Sequence, residues 1–148
     1  MPQATLLASL IITIGGALIA MQAPINSMLA RQIESSVAAA CISFGVGFVV
    51  LLGITLAYGD GASLPRVGAV PKWLLVGGAL GAVFVWSSLW AVPILGVLTT
   101  TTLLILGQMT ASLAIDHFGA FGLLPREISL PRVMAAVLVA AGAVLSRF

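Results

Sequence analysis

The stretch that most constrains the fold covers residues 94–119, with the sequence ILGVLTTTTLLILGQMTASLAIDHFG. It is apolar for roughly 20 residues, which is enough to cross a bilayer as one helix. Four of its polar side chains would nevertheless lie within roughly 80° of one another around that helix: Thr101, Gln108, Ser112 and Asp116. Because such a polar face is costly in hydrocarbon, we expect it to meet a neighbouring helix or a wet cavity.

The composition assigns the chain to the integral membrane proteins. Of its 148 residues, 61% are hydrophobic and only 7% are charged, against about 25% charged in globular domains. The net charge of +2 is too small to indicate a nucleic-acid partner. The single cysteine, Cys41, permits no intrachain disulfide. The length predicts one membrane domain, residues 1–148.

The apolar runs predict an all-α protein with five transmembrane helices. No basic residue precedes the first run, so we expect a retained span there instead of a secretory signal. Pro93 and Gly96 predict a tight turn between the third and fourth spans. The predicted spans have these approximate bounds: 4–23, 37–58, 73–92, 94–115 and 133–148.

Small residues at a spacing of four predict close helix contacts in two of these spans. Gly16 and Ala20 form such a pair in the first span, and Gly77 and Gly81 form a GxxxG motif in the third. In a membrane, this pattern lets another helix approach closely.

Two pairs of larger side chains are candidates for binding a small-molecule substrate. Gln22 and Asn26 share a helix face, where they either mark the water boundary or face an internal pocket. Trp86 and Trp90 also share a face. They are either part of an interfacial aromatic belt or the wall of a site for an organic substrate, with cation–π contacts.

Gln108, Ser112 and Asp116 are the candidates in the fourth span. The amide and the hydroxyl would supply hydrogen bonds to a substrate. Two interpretations of Asp116 stay open: it caps the next turn or pairs with Arg126 or Arg132, or its carboxylate binds a cation or a proton. No basic residue lies in the middle of a span, which favours a polar or cationic substrate over an anionic one.

The sequence contains neither a set of metal ligands nor a set of catalytic residues at the required spacing. The only histidine, His117, has no cysteine, histidine or glutamate at metal-ligand spacing. No nucleophile–histidine–acid set and no paired carboxylates are present. We therefore expect no metal, no cofactor and no enzymatic activity.

The distribution of basic residues predicts a weak orientation preference. With five spans, four basic residues fall on the side of the N-terminus and two on the other side: Arg66, Lys72, Arg126 and Arg132, against Arg31 and Arg147. Since orientation follows lysine and arginine, so small a bias favours insertion both ways round. Two copies in opposite senses would form a ten-helix inverted-repeat body, as in many secondary transporters.

Several segments resemble the YdcZ-type proteins of the drug/metabolite transporter superfamily: GGALIAMQAPINSMLA, ISFGVGFVVLL, PKWLLVGGALGAVFV and LLILGQMTASLAIDHFG. The resemblance covers nearly the whole chain. It implies a multi-pass protein of the bacterial inner (plasma) membrane, in which a five-helix unit acts as an antiparallel pair with itself or with a homologous five-helix partner. It also implies that this unit is half of a ten-helix inverted-repeat architecture.

The four-helix multidrug transporters of that superfamily carry a glutamate in their first helix, and this chain has none there. The resemblance therefore does not imply that this chain exchanges protons for drugs as those transporters do. We expect a transporter subunit that exports or exchanges a small polar or cationic metabolite by alternating access. The alternatives are a dual-topology ion channel, lined by the threonines at residues 99–102, and a membrane scaffold without transport activity.

Overall fold

The computed structural model describes residues 2–148, and α-helices make up most of this range. The long apolar runs form helices because helices satisfy every backbone hydrogen bond within one segment, which the bilayer demands. The five α-helices of the described range have these bounds: α1 Pro2–Gln32, α2 Ser36–Ala57, α3 Val76–Leu95, α4 Val97–Phe118 and α5 Leu130–Leu145. Three 3₁₀-helical segments lie between them in the described range, at Asp60–Ala69, Lys72–Leu75 and Ala120–Gly122.

Four of the helical segments in the described range are long and apolar enough to cross a membrane. They are Thr5–Gln32, Ser36–Ala57, Lys72–Leu95 and Val97–Phe118. The fold is therefore that of an all-helical integral membrane protein. The fifth helix, α5, is apolar but has 16 residues, about 24 Å at 1.5 Å per residue. That α5 also spans the membrane stays a prediction.

Two prolines lie inside helices. Pro24 is within α1, which continues to Gln32, because only one backbone hydrogen bond is lost at the proline and the helix satisfies the others. Pro93 was predicted in a turn, and this is wrong, since α3 continues through Pro93 to Leu95. Pro93 lacks the N–H that would bond the Leu89 carbonyl, so α3 loses one backbone hydrogen bond there and keeps the others. Gly96 alone makes the turn, with φ at +80°, which a glycine adopts without strain.

The described chain divides into two compact units, one ending at Trp90 and the other covering Ala91–Phe148. In the first unit, α1 and α2 form a helical hairpin, and Ser35 caps α2 by accepting a hydrogen bond from the Ala38 amide. In the second unit, α4 and α5 pack along each other as a second hairpin. The prediction of one membrane domain over residues 1–148 stays a prediction.

The small-residue pairs differ in what lies beside them. A Cβ atom at Gly81 would lie 3.4 Å from the Phe44 ring of α2, so Gly81 is in contact with another helix. Cβ atoms at Gly16 and Gly77 would meet no described atom within 4 Å, and Ala20 is half-buried. Helix packing at Gly16, Ala20 and Gly77 therefore stays a prediction.

Candidate functional site

A cleft of about 400 Å³ lies in the second unit, along the α4–α5 hairpin. Five of its lining residues come from α4 at a spacing that follows one helix face over two turns, and two come from α5: Ile105, Gln108, Met109, Ser112 and Leu113, with Arg132 and Ala135. The cleft therefore combines an apolar wall with three polar side chains.

Gln108 lies near the middle of α4, and Ser112 follows one turn later. Both side chains are exposed. Neither forms a side-chain hydrogen bond to any residue in the described part of the chain. Unsatisfied polar groups are unfavourable at membrane depth unless water, a ligand or a second protein surface meets them. The cleft thus offers an amide and a hydroxyl that are available to a solute.

The cleft ends at an ion pair between the two helices. The Arg132 guanidinium donates through Nη2 to Oδ2 of Asp116, and both side chains are half-buried. Nη1 of Arg132 also donates to the Glu127 carbonyl at 3.4 Å. The sequence left two interpretations of Asp116 open: a cap or ion pair within the chain, or a carboxylate that binds a cation or a proton. The structure contains the ion pair, with Arg132 as the partner. Arg132 lines the cleft, whereas Asp116 is not part of its lining.

Asp116 also anchors the connection that leads to α5. Its backbone carbonyl accepts a hydrogen bond from the Arg126 amide at 2.7 Å. Gly119 ends α4 in the left-handed conformation, with φ at +59°. A Cβ at Gly119 would lie 2.7 Å from Cγ of Pro125. The loop therefore folds back tightly on the end of α4, which helps to set the position of Arg132 near the start of α5.

The opposite end of the hairpin is closed by hydroxyl groups. The Thr99 hydroxyl donates to the Ser146 carbonyl at 2.9 Å, and the Ser146 hydroxyl donates to Oγ1 of Thr99 at 3.2 Å. Thr100 and Thr102 donate to carbonyls of their own helix. Thr99 and Thr100 are buried. These three hydroxyls are thus satisfied within the chain instead of being presented to a pore.

In the first unit, the predicted pair Gln22 and Asn26 lies against α2. The Asn26 amide donates to the Ser43 hydroxyl at 3.0 Å, and the Gln22 amide donates to the same oxygen at 3.4 Å. Asn26 is buried, at 6% exposed. Ser43 was not selected as a site residue from the sequence, because only the pairing of α1 with α2 brings it to both amides.

The two tryptophans have different surroundings. The Trp86 indole donates through Nε1 to the Ser36 hydroxyl at 3.3 Å, which connects α3 to the start of α2. Trp90 lies one turn further along α3 and is 58% exposed, and its indole forms no hydrogen bond within residues 2–148. That both form the wall of a substrate site stays a prediction.

The predicted site residues therefore fall into two groups. Gln108, Ser112 and Asp116 lie along one cleft and the ion pair at its end, while Gln22 and Asn26 share one serine between α1 and α2. That all of them contact one substrate stays a prediction. Among the described residues, no group of three or more histidine, cysteine, aspartate or glutamate side chains could hold a metal ion.

The comparison with protein-family models gave a match over residues 7–145, to the family described as "Putative inner membrane exporter, YdcZ". Searches of the curated proteins and of the solved structures gave no match. The family match covers nearly the whole chain and agrees with the resemblance seen in the sequence. The description is that of a transporter instead of an enzyme, and four long apolar helices fit a multi-pass protein of the inner membrane. The chain belongs to the YdcZ family.

Proposed function

We propose that this protein is an exporter subunit that works as an antiparallel homodimer and moves a small polar solute across the inner membrane by alternating access. The observation that carries the proposal is the cleft on α4 and α5, where Gln108 and Ser112 lack partners in the described chain at the depth of a membrane span. The family description supports export as the direction.

The homodimer is proposed because one chain supplies only part of a transport path. Four long apolar helices and one shorter one make about half of the helices in a typical ten-helix inverted-repeat carrier. The weak bias in basic residues allows both orientations in one membrane. The unpartnered small-residue positions Gly16 and Gly77 supply surfaces on which a second copy could pack closely.

An ion channel is less well supported than a carrier. Three of the four threonine hydroxyls that would line its pore donate within the chain, at Thr99, Thr100 and Thr102. The rate of flux per protein distinguishes the two functions, because flux through a channel would far exceed the turnover of an alternating-access carrier.

The proposal is tested with the purified protein in proteoliposomes. Three labelled solutes with one isobutyl body form the panel: N-acetylleucine, its neutral amide, and the cation leucine amide. We expect saturable counterflow of at least one of them, and loss of that flux in Gln108→Ala. Gln32→Ala is the matched control, because Gln32 is exposed at the end of α1. Equal flux in native protein and Gln108→Ala would refute the site, and no flux above empty liposomes would favour the scaffold alternative.

A further inference from the structure

We infer that the α4–α5 cleft binds the carboxylate group of an amphipathic organic solute, with Arg132 as its charged ligand. This inference rests on the proposed function and narrows its substrate class. It departs from the polar or cationic substrate expected from the sequence, because α5 begins at Leu130 and Arg132 therefore lies inside it. Its basis is the sign of the charge in the cleft: Arg132 is the one ionisable residue in the lining, and the paired Asp116 is outside it.

The guanidinium of Arg132 retains hydrogen-bonding capacity. It carries five N–H donors in a planar fork. Within residues 2–148, one Nη2 donor binds Asp116 and one Nη1 donor binds the Glu127 carbonyl. The other donors have no partner there. Arginine presents a geometry that matches a carboxylate, so a second carboxylate can be bound beside the existing pair.

The neighbouring polar side chains suit the same ligand. Gln108 and Ser112 can each donate a hydrogen bond, through an amide N–H and a hydroxyl, and neither is engaged by the described chain. All three polar side chains in the cleft are thus donors. An anion accepts from every one of them, whereas a cation would find no carboxylate in the lining.

The rest of the lining determines the body of the solute. Four of the seven lining residues are apolar: Ile105, Met109, Leu113 and Ala135. The cleft volume of about 400 Å³ is that of a site for a small organic molecule. An apolar chain or ring can therefore lie along α4 while the carboxylate meets Arg132. Asp116 is then a positioning residue, which holds the guanidinium at the end of the cleft and does not contact the solute.

The test measures binding without transport, in nanodiscs of phosphatidylcholine, which carry no net charge. Ligand-induced shifts in thermal unfolding are compared for N-acetylleucine, its neutral amide and leucine amide. We expect stabilisation by N-acetylleucine alone. The double variant Asp116→Asn/Arg132→Gln removes both charges together, so no charge is left unpaired, and it should weaken binding about tenfold or more. Arg126→Gln, which changes an arginine of the same connection outside the cleft, should bind as the native protein does.

A second variant keeps the test decisive if the neutral pair does not fold. The exchange Asp116→Arg/Arg132→Asp retains an ion pair but places an acid in the cleft. It should lose the response to N-acetylleucine and gain one to leucine amide. Equal stabilisation by the acid and its amide, or unchanged binding in the double variant, would overturn the inference.

The two proposals fail in different ways. Arg132-dependent binding of N-acetylleucine without flux in proteoliposomes would overturn the exporter proposal and support the carboxylate site. Flux of the amide or the cation, with no binding of N-acetylleucine, would support the exporter proposal and overturn the carboxylate site.

Discussion

Asp116, near the end of α4, and Arg132, near the start of α5, form the ion pair that closes one end of the hairpin. The backbone carbonyl of the same aspartate accepts a hydrogen bond from the Arg126 amide. One residue therefore joins the end of a helix, the following loop and the next helix. This gives Asp116 a structural role that is independent of any contact with substrate.

Asp116→Asn should lower the free energy of unfolding by about 1 kcal/mol, the upper range for ion pairs that remain partly exposed to solvent. A double-mutant cycle with Arg132→Gln, followed by thermal unfolding in detergent, measures the coupling between the two side chains. Asp60→Asn is the control, since Asp60 is exposed and forms no ion pair in the described structure. Additive effects of the two substitutions would mean that the pair contributes no coupling energy.

Gly119→Ala should destabilise the protein by about 1–2 kcal/mol because Gly119 has a left-handed φ of +59°. The added Cβ would also lie 2.7 Å from Cγ of Pro125 and 2.9 Å from the Leu123 carbonyl oxygen. Gly107→Ala is the matched control in the same helix, because a Cβ there meets nothing within 4 Å. Chemical unfolding of both variants checks the difference, and equal stability would contradict this account of the loop.

Asn26→Ala should destabilise the first unit by about 1–2 kcal/mol, since Asn26 is buried and donates to Ser43. The effect should be much smaller in a Ser43→Ala background, where the shared partner is already absent. Unfolding measurements on the two single variants and the double variant give this comparison. Full additivity would show that the Asn26 amide is not coupled to Ser43.

Gln108→Leu is expected to reduce transport without reducing stability, in contrast to Asn26→Ala. Gln108 has no partner within the described residues, so replacing it should leave the free energy of unfolding unchanged or raise it, while flux falls. Measuring stability and counterflow on the same preparation separates a binding residue from a structural one. A Gln108→Leu protein that unfolds more readily than the native protein would show that the amide is used within the fold.

The sequence and the structure agree best where the relationship lies within one helix. The spacing placed Gln108 and Ser112 on one face of α4, and both line the same cleft. Contacts between helices could not be obtained in that way. The sequence left Arg126 and Arg132 as equal candidates for Asp116, because only the course of the loop brings Arg132 to it. The contact between Trp86 and Ser36 likewise depends on how α3 meets α2.

Helix ends were also harder to predict than helix faces. The fourth predicted span, 94–115, begins three residues before α4, because Pro93 was assigned to a turn and α3 in fact runs through it. In a soluble protein a proline commonly marks a helix end. In a membrane, the surrounding helix is kept by the cost of unsatisfied backbone groups, so the proline is tolerated inside it.

Dual topology can be tested through pairs of variants that fix the orientation. Two added lysines at exposed loop positions should bias insertion towards that loop being cytoplasmic. Ala62→Lys/Ser63→Lys does this on the predicted side of the N-terminus, and Gln32→Lys/Glu34→Lys does it on the other. A single cysteine placed at one end of the chain at a time, in a Cys41→Ser background, reports the orientation by its access to a membrane-impermeant label.

The native chain should be labelled from both sides of the membrane in roughly equal share, and each lysine variant from one side only. If two opposite copies form the transport path, each lysine variant alone should lose flux, and co-expression of the two should restore it. Each variant is the control for the other, because both add two lysines in opposite loops; the acid that Glu34→Lys also removes contributes little to orientation. Native-level flux from either variant by itself would show that an oppositely oriented copy is not required.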